Sequence, residues 1–379
     1  MTRTKYRTYL FLFAFLAGVV SSLPARPVQA QVLTDTVLHQ TILKALDNIY
    51  NSDFAEADVY IRQLRSRYPQ HPAGPMLRAM QLYWQHIPLK DNKVATAQYG
   101  QACEQALTLA KKRLDKDADD PEGVFFALTA HSYLALKYHN DDELMKAVNE
   151  ARRAYSYMKQ GFELTEKNPE FYFTTGLYNY YVERYPMENP IVKPMMWFFK
   201  SGNMPLGLRQ MEAATRRATF TRHETAYYLA NIYLQHESAP TRASAWLKPL
   251  TERFPDNPVF LMRYTESLLL NGQYDEAARL MPRLKAMPRA FLNVPIQLFE
   301  GLLAEKEARN DRDAGTHYQA ALRHTFVMPY TKEYHAMAYA GLARIAARAN
   351  NSSLAKTYYS KALGISEYKS LQREAKAFK

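Results

Sequence analysis

Three stretches of this chain share one spacing. They are Ser52-x-Phe54-x-x-Ala57 followed by Ile61 and Leu64, Gly272-x-Tyr274-x-x-Ala277 followed by Met281 and Leu284, and Asn350 with Ala355, Tyr359 and Ala362. In each, a turn residue stands five positions before a small residue, and apolar residues follow at the fourth and seventh positions after it. That pattern is one apolar face of a helix that begins just after a tight turn, with the small residue where a neighbouring helix must come close. A second pattern precedes it, in Leu229-Ala230-x-x-Tyr233, Gly176-x-x-Asn179 with Tyr180, Gly301-Leu302 and Gly341-Leu342-Ala343. Here too a small residue lets two helices pack at short range. Prolines at 69, 121, 169, 255, 258 and 288 punctuate the units where a helix must stop. Composition agrees, because Ala and Leu far outnumber Val and Ile, and the former cost least in a helix while β-branched residues favour strands. The chain is expected to be all-α.

These residues resemble the tetratricopeptide repeat, a helix pair with small residues in the first helix, Gly or Asn at the turn, Ala early in the second and Pro at the end. The resemblance implies a right-handed superhelical array of about eight antiparallel helix pairs, an α-solenoid. The pairs are expected at residues 35–69, 73–119, 121–167, 169–220, 222–256, 258–289, 295–327 and 332–366, with a polar capping helix ending in Glu374-Ala375-Lys376. The fifth is expected to need an extra residue near Ala239-Pro240, and the seventh to slip by one at Ala314. Residues 31–220 form an N-terminal group that carries an aromatic and proline-rich insertion near 183–200, and residues 221–379 form the C-terminal repeats and cap. If the family geometry holds, the first helix of each pair lines a concave surface, and positions next to the small residue point into it: His131, Leu177, Asn231, Glu266, Leu302 and Arg344. Asn231 suits one place in the family's carboxylate clamp for peptide tails and Arg263 could imitate another, but the remaining residues are missing.

The first thirty residues read as a leader. Arg3, Lys5 and Arg7 precede a 12-residue apolar stretch from Tyr9 to Val20, too short to span a bilayer as a helix, and Val28-Gln29-Ala30 ends in small residues. A cleaved secretory signal with the mature chain starting at Gln31 is expected, hence an exported, periplasmic or envelope location. No cysteine stands there to take a lipid, since Cys103 lies inside an expected helix as a small buried hydrophobe. The chain carries a net charge of +12, and without Arg3, Lys5, Arg7 and Arg26 it carries +8. The basic residues do not gather into a run, as Lys111-Lys112-Arg113 is answered by Asp115, Asp117, Asp119 and Asp120, so nucleic acid is a poor candidate partner.

Between Phe171 and Phe199 stand ten aromatics in 29 residues, against 13% for the chain. Pro186, Pro190 and Pro194 divide them. One reading is a short helix, residues 192–200, whose Met195, Trp197, Phe198 and Phe199 fill a groove between pairs three and five. Another is a pocket in which Tyr178, Tyr180, Tyr181, Tyr185 or Trp197 stacks on sugar rings or receives a peptide. A third is a membrane-surface contact.

Catalytic motifs are scarce. Ser353-Leu354-Ala355-Lys356 matches Ser-x-x-Lys without its partner motif, and Ser352 or Ser353 is better read as a helix N-cap. His317 follows Asp313 by four, with no third metal ligand near. No enzyme, cofactor or metal is expected. The sequence points to a protein or peptide partner in the cell envelope, bound by a non-enzymatic scaffold, with a glycan-binding helical-repeat protein as the alternative.

Overall fold

The computed structural model describes residues 32, 35–141, 143–188, 193, 196–197, 199–325 and 331–378. The expected leader at 1–30, together with Pro190, Pro194, Met195 and Phe198, lies outside the described residues. The chain divides into two units, Met1–His39 and Gln40–Lys379. In the first, the Asp35 carboxylate accepts hydrogen bonds from the Val37 and Leu38 amides, both at 3.0 Å, and so starts the first helix.

Among the described residues every regular element is helical, and the helices come in eight antiparallel pairs and a cap. Pair one is α1 (Thr36–Tyr50) with α2 (Phe54–Arg67), and pair two is α3 (Ala73–Gln85) with α4 (Lys93–Leu114). Pair three joins α5 (Pro121–Asn140) to α6 (Leu144–Leu164), and pair four joins α7 (Phe171–Glu188) to α8 (Met204–Arg217). Pairs five and six are α9 (Arg222–Gln235) with α10 (Pro240–Arg253) and α11 (Pro258–Leu270) with α12 (Tyr274–Ala286). Pairs seven and eight are α13 (Asn293–Lys306) with α14 (Asp311–Arg323) and α15 (Lys332–Arg348) with α16 (Ser352–Ile365), and α17 (Lys369–Ala377) closes the end.

Five of the turns within pairs are built alike. Ser52, Ser238, Gly272, Arg309 and Asn350 all have positive φ, between 51° and 74°. Each stands five residues before an alanine with no exposed surface: Ala57, Ala243, Ala277, Ala314 and Ala355. The left-handed residue ends one helix and reverses the chain, and the alanine admits the partner helix. On the other side of the turn, pairs five and seven are one residue longer: the left-handed residue stands three positions, rather than two, after the end of the first helix. The Ala239 and Asn310 amides donate six residues back, to Tyr233 and Ala304, where Asp53, Gln273 and Asn351 donate five back. This is the extra residue expected near Ala239-Pro240 and the slip expected at Ala314. Their turns use Ser238 and Arg309 where Gly or Asn would be the unstrained choice. Asparagine caps several helices: Asn92, Asn203, Asn257, Asn310 and Asn351 each accept a backbone N–H of the first turn. At α16 the cap is thus Asn351, one residue before the expected Ser352 or Ser353, because its carboxamide reaches the Leu354 amide at 3.1 Å.

Glycines mark the closest helix crossings. The Tyr318 ring of α14 is clamped between Gly301 of α13 and Gly341 of α15; a Cβ would meet ring atoms at 2.5 Å at the first and at 2.3 Å at the second. Gly341→Ala is expected to lose about 1–3 kcal/mol, read as a lower urea midpoint with an unchanged slope.

The array also closes on itself. The end of α1 meets the turn between α10 and α11: the Asn257 carboxamide donates to the Tyr50 carbonyl at 2.7 Å, the Asp256 amide donates to Asn51 at 3.2 Å, and Arg253 pairs with Asp47 at 2.8 Å. Arg289 donates to the Gln85 carbonyl at the end of α3 at 3.0 Å. Pairs one and two are so tied to pairs five and six, about 200 residues later. The inner faces of the first helices meet in an aromatic cluster, in which Trp84 packs edge-on against Tyr50 (5.6 Å), Phe260 (5.5 Å) and Tyr227 (6.1 Å).

Candidate functional site

Most of the inner-face positions singled out from the sequence are occupied by the protein's own contacts. His131 on α5 is buried, lies 2.6 Å from Glu150 of α6 and stacks on Tyr157. Burial pushes its imidazole below the ordinary range against the opposing pull of Glu150. Glu266 on α11 is buried and accepts from Arg263 (2.8 Å), Tyr334 (2.9 Å) and Tyr368 (2.6 Å), so it bolts pair six to pair eight and the cap. Arg263 also donates to Tyr368. Arg344 on α15 forks onto buried Glu305 at 2.7 and 2.8 Å and reaches Glu374 of the cap. Leu302 is buried. Asn231 keeps a buried side-chain oxygen with no hydrogen-bond partner, and Leu177 lines an inner cavity.

That cavity, of about 170 Å³, is enclosed by α3, α5, α7 and α9. Its walls are Tyr83, Tyr133, Phe173, Leu177 and Tyr228, with the hydroxyls of Thr129, Ser132, Thr174 and Thr221 between them and the Glu224 carboxylate at its base. A smaller pocket of about 30 Å³ adjoins it and shares Thr129, Tyr133, Thr221 and Glu224. Glu224 accepts from the Tyr133 hydroxyl at 3.3 Å, and burial pushes its carboxyl up to about 7 with that one hydrogen bond opposing. Helical spacing sets Glu224, Tyr227, Tyr228 and Asn231 on one face of α9. This i, i+3, i+4, i+7 set is the sequence signal for the site, and Asn231 is the member of it that the repeat spacing also singles out.

Of the α7 aromatics, Phe171, Tyr172, Phe173 and Tyr180 are buried in the core. Helix α7 runs on through Pro186 to Glu188, so that proline does not divide the aromatics as the sequence suggested; it sits in the last turn, where it removes one N–H bond and only two helical residues follow. Tyr180 is fully buried and donates to Glu237 at 2.5 Å. Tyr181 packs edge-on against Tyr180 and His236. Tyr178 stacks on Tyr155 at 5.4 Å and donates to the Lys200 carbonyl. Gly202 lies so close to α7 that a Cβ would meet the Asn179 carbonyl at 2.5 Å. Two of the candidates face solvent instead: Trp197 is 76% exposed and Tyr185 51%, with Met187 between them in sequence at 57%. Trp197 therefore does not fill the groove between pairs three and five; Phe199 packs on Tyr155 of pair three.

Cys103 is fully buried, and burial raises its thiol far above the ordinary range. The His317 ring hydrogen-bonds Gln297 at 2.9 Å, while Asp313 is 3.8 Å away. Among the described residues no three His, Cys, Asp or Glu side chains converge as metal ligands, and no helix is long and apolar enough to cross a membrane.

No family model and no curated protein matches the chain. Among solved structures it is similar to Pseudomonas aeruginosa PilF, at 17% identity over 62% of this chain and 92% of that one with a TM-score of 0.37. It is also similar to a tetratricopeptide repeat protein from Parabacteroides merdae (14%, 90% and 98%, TM-score 0.33) and to yeast Tom70 (12%, 91% and 82%, TM-score 0.39). By its own turns and close helix contacts the array is tetratricopeptide-like, an α-solenoid of helix pairs.

Proposed function

We propose that the protein is a non-enzymatic protein-interaction scaffold working outside the cytoplasm, in the periplasm or on the outer face of a bacterial envelope. The observation that carries this reading is the exposed apolar set on the insertion, Tyr185, Met187 and Trp197. Trp and Tyr dominate binding hot spots and Met is enriched at interfaces, whereas a monomer surface gains nothing by leaving a tryptophan three-quarters exposed. After that segment, residues 200–203 are tied back to α6 and α7 by Tyr155, Glu183 and Asn179. The reading of the first thirty residues as a cleaved signal supports the compartment.

The test is affinity capture from envelope extracts with the wild-type chain and with the Tyr185→Ala, Met187→Ala, Trp197→Ala triple variant. The variant should keep the wild-type helical circular dichroism while retaining at least tenfold less of a discrete protein partner. Equal retention by both sinks the scaffold reading at this segment. Retention of saccharide without protein moves the assignment to the alternative, a glycan-binding helical-repeat protein using the same exposed rings. For the compartment, the protein recovered from cells should begin at Gln31, and an intact N-terminus in the cytosolic fraction would refute export.

A further inference from the structure

The inner cavity is a different place from the exposed insertion, and its chemistry is specific. It combines one carboxylate, four aromatic rings and four small hydroxyls, and among the described residues no Lys, Arg or His lines it. Glu224 has no ion-pair partner among the described residues; the Tyr133 hydroxyl is its hydrogen-bond donor. A carboxylate recessed in an apolar setting without a cation is expensive, and folds keep such groups where they act. The Tyr50 hydroxyl is buried with no hydrogen-bond partner, within electrostatic reach of Glu224, Tyr228 and Glu170. Of the lining residues, Ser132 is exposed.

We propose that this cavity binds a small organic cation bearing a primary ammonium group, with Glu224 as its counter-ion and the rings of Tyr83, Tyr133, Phe173 and Tyr228 around it. A primary ammonium has three N–H donors, which match the acceptor oxygens of Glu224 and the Thr and Ser hydroxyls, and its positive charge is favoured beside aromatic rings. A volume of about 170 Å³ holds an amine of a few carbons or the end of a longer one, not a folded partner. The neighbouring charges favour a cation. Glu170, at the entrance to α7, accepts four hydrogen bonds from Thr219, Phe220 and Thr221, whose own side chain lines the cavity. His223, next to Glu224 on α9, is driven down to about 4 by burial and by Arg253, so it is uncharged at neutral pH. Burial pushes the hydroxyls of Tyr50 on α1 and Tyr133 on α5 well above the ordinary range, so both are neutral, and the rings of Tyr83 on α3 and Tyr228 on α9 complete the wall.

The test is calorimetric titration of the full chain with n-butylammonium chloride, and with n-butanol as the uncharged isostere, between pH 5.5 and 8.5. Wild type should bind butylammonium with a Kd in the millimolar range. Because the amine stays charged throughout while Glu224 ionises near neutrality, affinity should rise about tenfold per pH unit below pH 7 and level off above it. Glu224→Gln should bind at least tenfold more weakly at pH 8, with no pH slope. Leu177→Trp, which fills the cavity without touching the carboxylate, should abolish binding while far-UV circular dichroism stays wild-type. Binding of butanol as tight as butylammonium, equal binding by Glu224→Gln, or no binding by wild type would each overturn the assignment.

Discussion

Replacing Trp84 by Ala will cost about 3–5 kcal/mol, the range for removing a buried aromatic from a packed core. Trp84 is 9% exposed, and its ring touches three partners that arrive from far along the chain: Tyr50 of α1, Tyr227 of α9 and Phe260 of α11. The loss should not be uniform. Each pair is held by local contacts, such as Tyr318 between its two glycines, and those are untouched. What fails is the tie between pairs one and two and pairs five and six, made by Asn257 to the Tyr50 carbonyl and Arg253 to Asp47. Guanidinium unfolding should show the lower midpoint, while helical circular dichroism is kept before the transition. Native-state hydrogen exchange should speed up in α1, α3 and α11 well before α14 to α16. An unchanged midpoint with uniform protection would mean that the closure contributes nothing to stability.

The sequence foretold the pairs better than the closure for a physical reason. A helix pair is written locally: a turn residue, an alanine five later, an apolar stripe. Even where Ser238 and Arg309 disguise the turn, Ala243 and Ala314 preserve the interval. The meeting of Trp84 with Phe260 leaves no such interval, because its partners lie on helices whose own periodicity already explains an apolar inner face. The site suffered for the same reason. His131, Glu266 and Arg344 stand next to small residues on their helices, yet their charges are spent on Glu150, on Arg263 with two tyrosines, and on Glu305. Whether an inner charged residue faces a partner or a cavity depends on the neighbouring pair. Glu224 shares a helix face with Asn231, but one carboxylate on a helix is ordinary until three other helices are placed around it.

Glu224→Gln is expected to stabilise the protein at pH 8 by about 2–3 kcal/mol and to leave it unchanged or slightly weaker at pH 4.5. The sign follows from the direction of the shift. A carboxyl at about 4.5 when unfolded and about 7 in the fold holds its proton more tightly in the folded state. Stability therefore carries no penalty below about pH 4.5, loses ground as pH rises, and bears the whole cost above pH 7. Glutamine removes the ionisable group and so the cost, keeping an acceptor for the Tyr133 hydroxyl. Glu305 is the counter-case within the same fold. Burial would raise it too, but two hydrogen bonds from Arg344 and one from Tyr318 hold it down at about 2, so its contribution is present above pH 4.5 and fades as pH falls toward 2. Urea titrations of wild type and Glu224→Gln at the two pH values would separate the cases: equal stabilities at pH 8 would show that the cavity carboxylate is already solvated. A fold that neutralises Glu305 with an arginine and leaves Glu224 without one could gain stability at neutral pH by a single substitution. Adding butylammonium at pH 8 should recover part of that stability for wild type and none for the glutamine variant, because the cation supplies the partner that the chain omits.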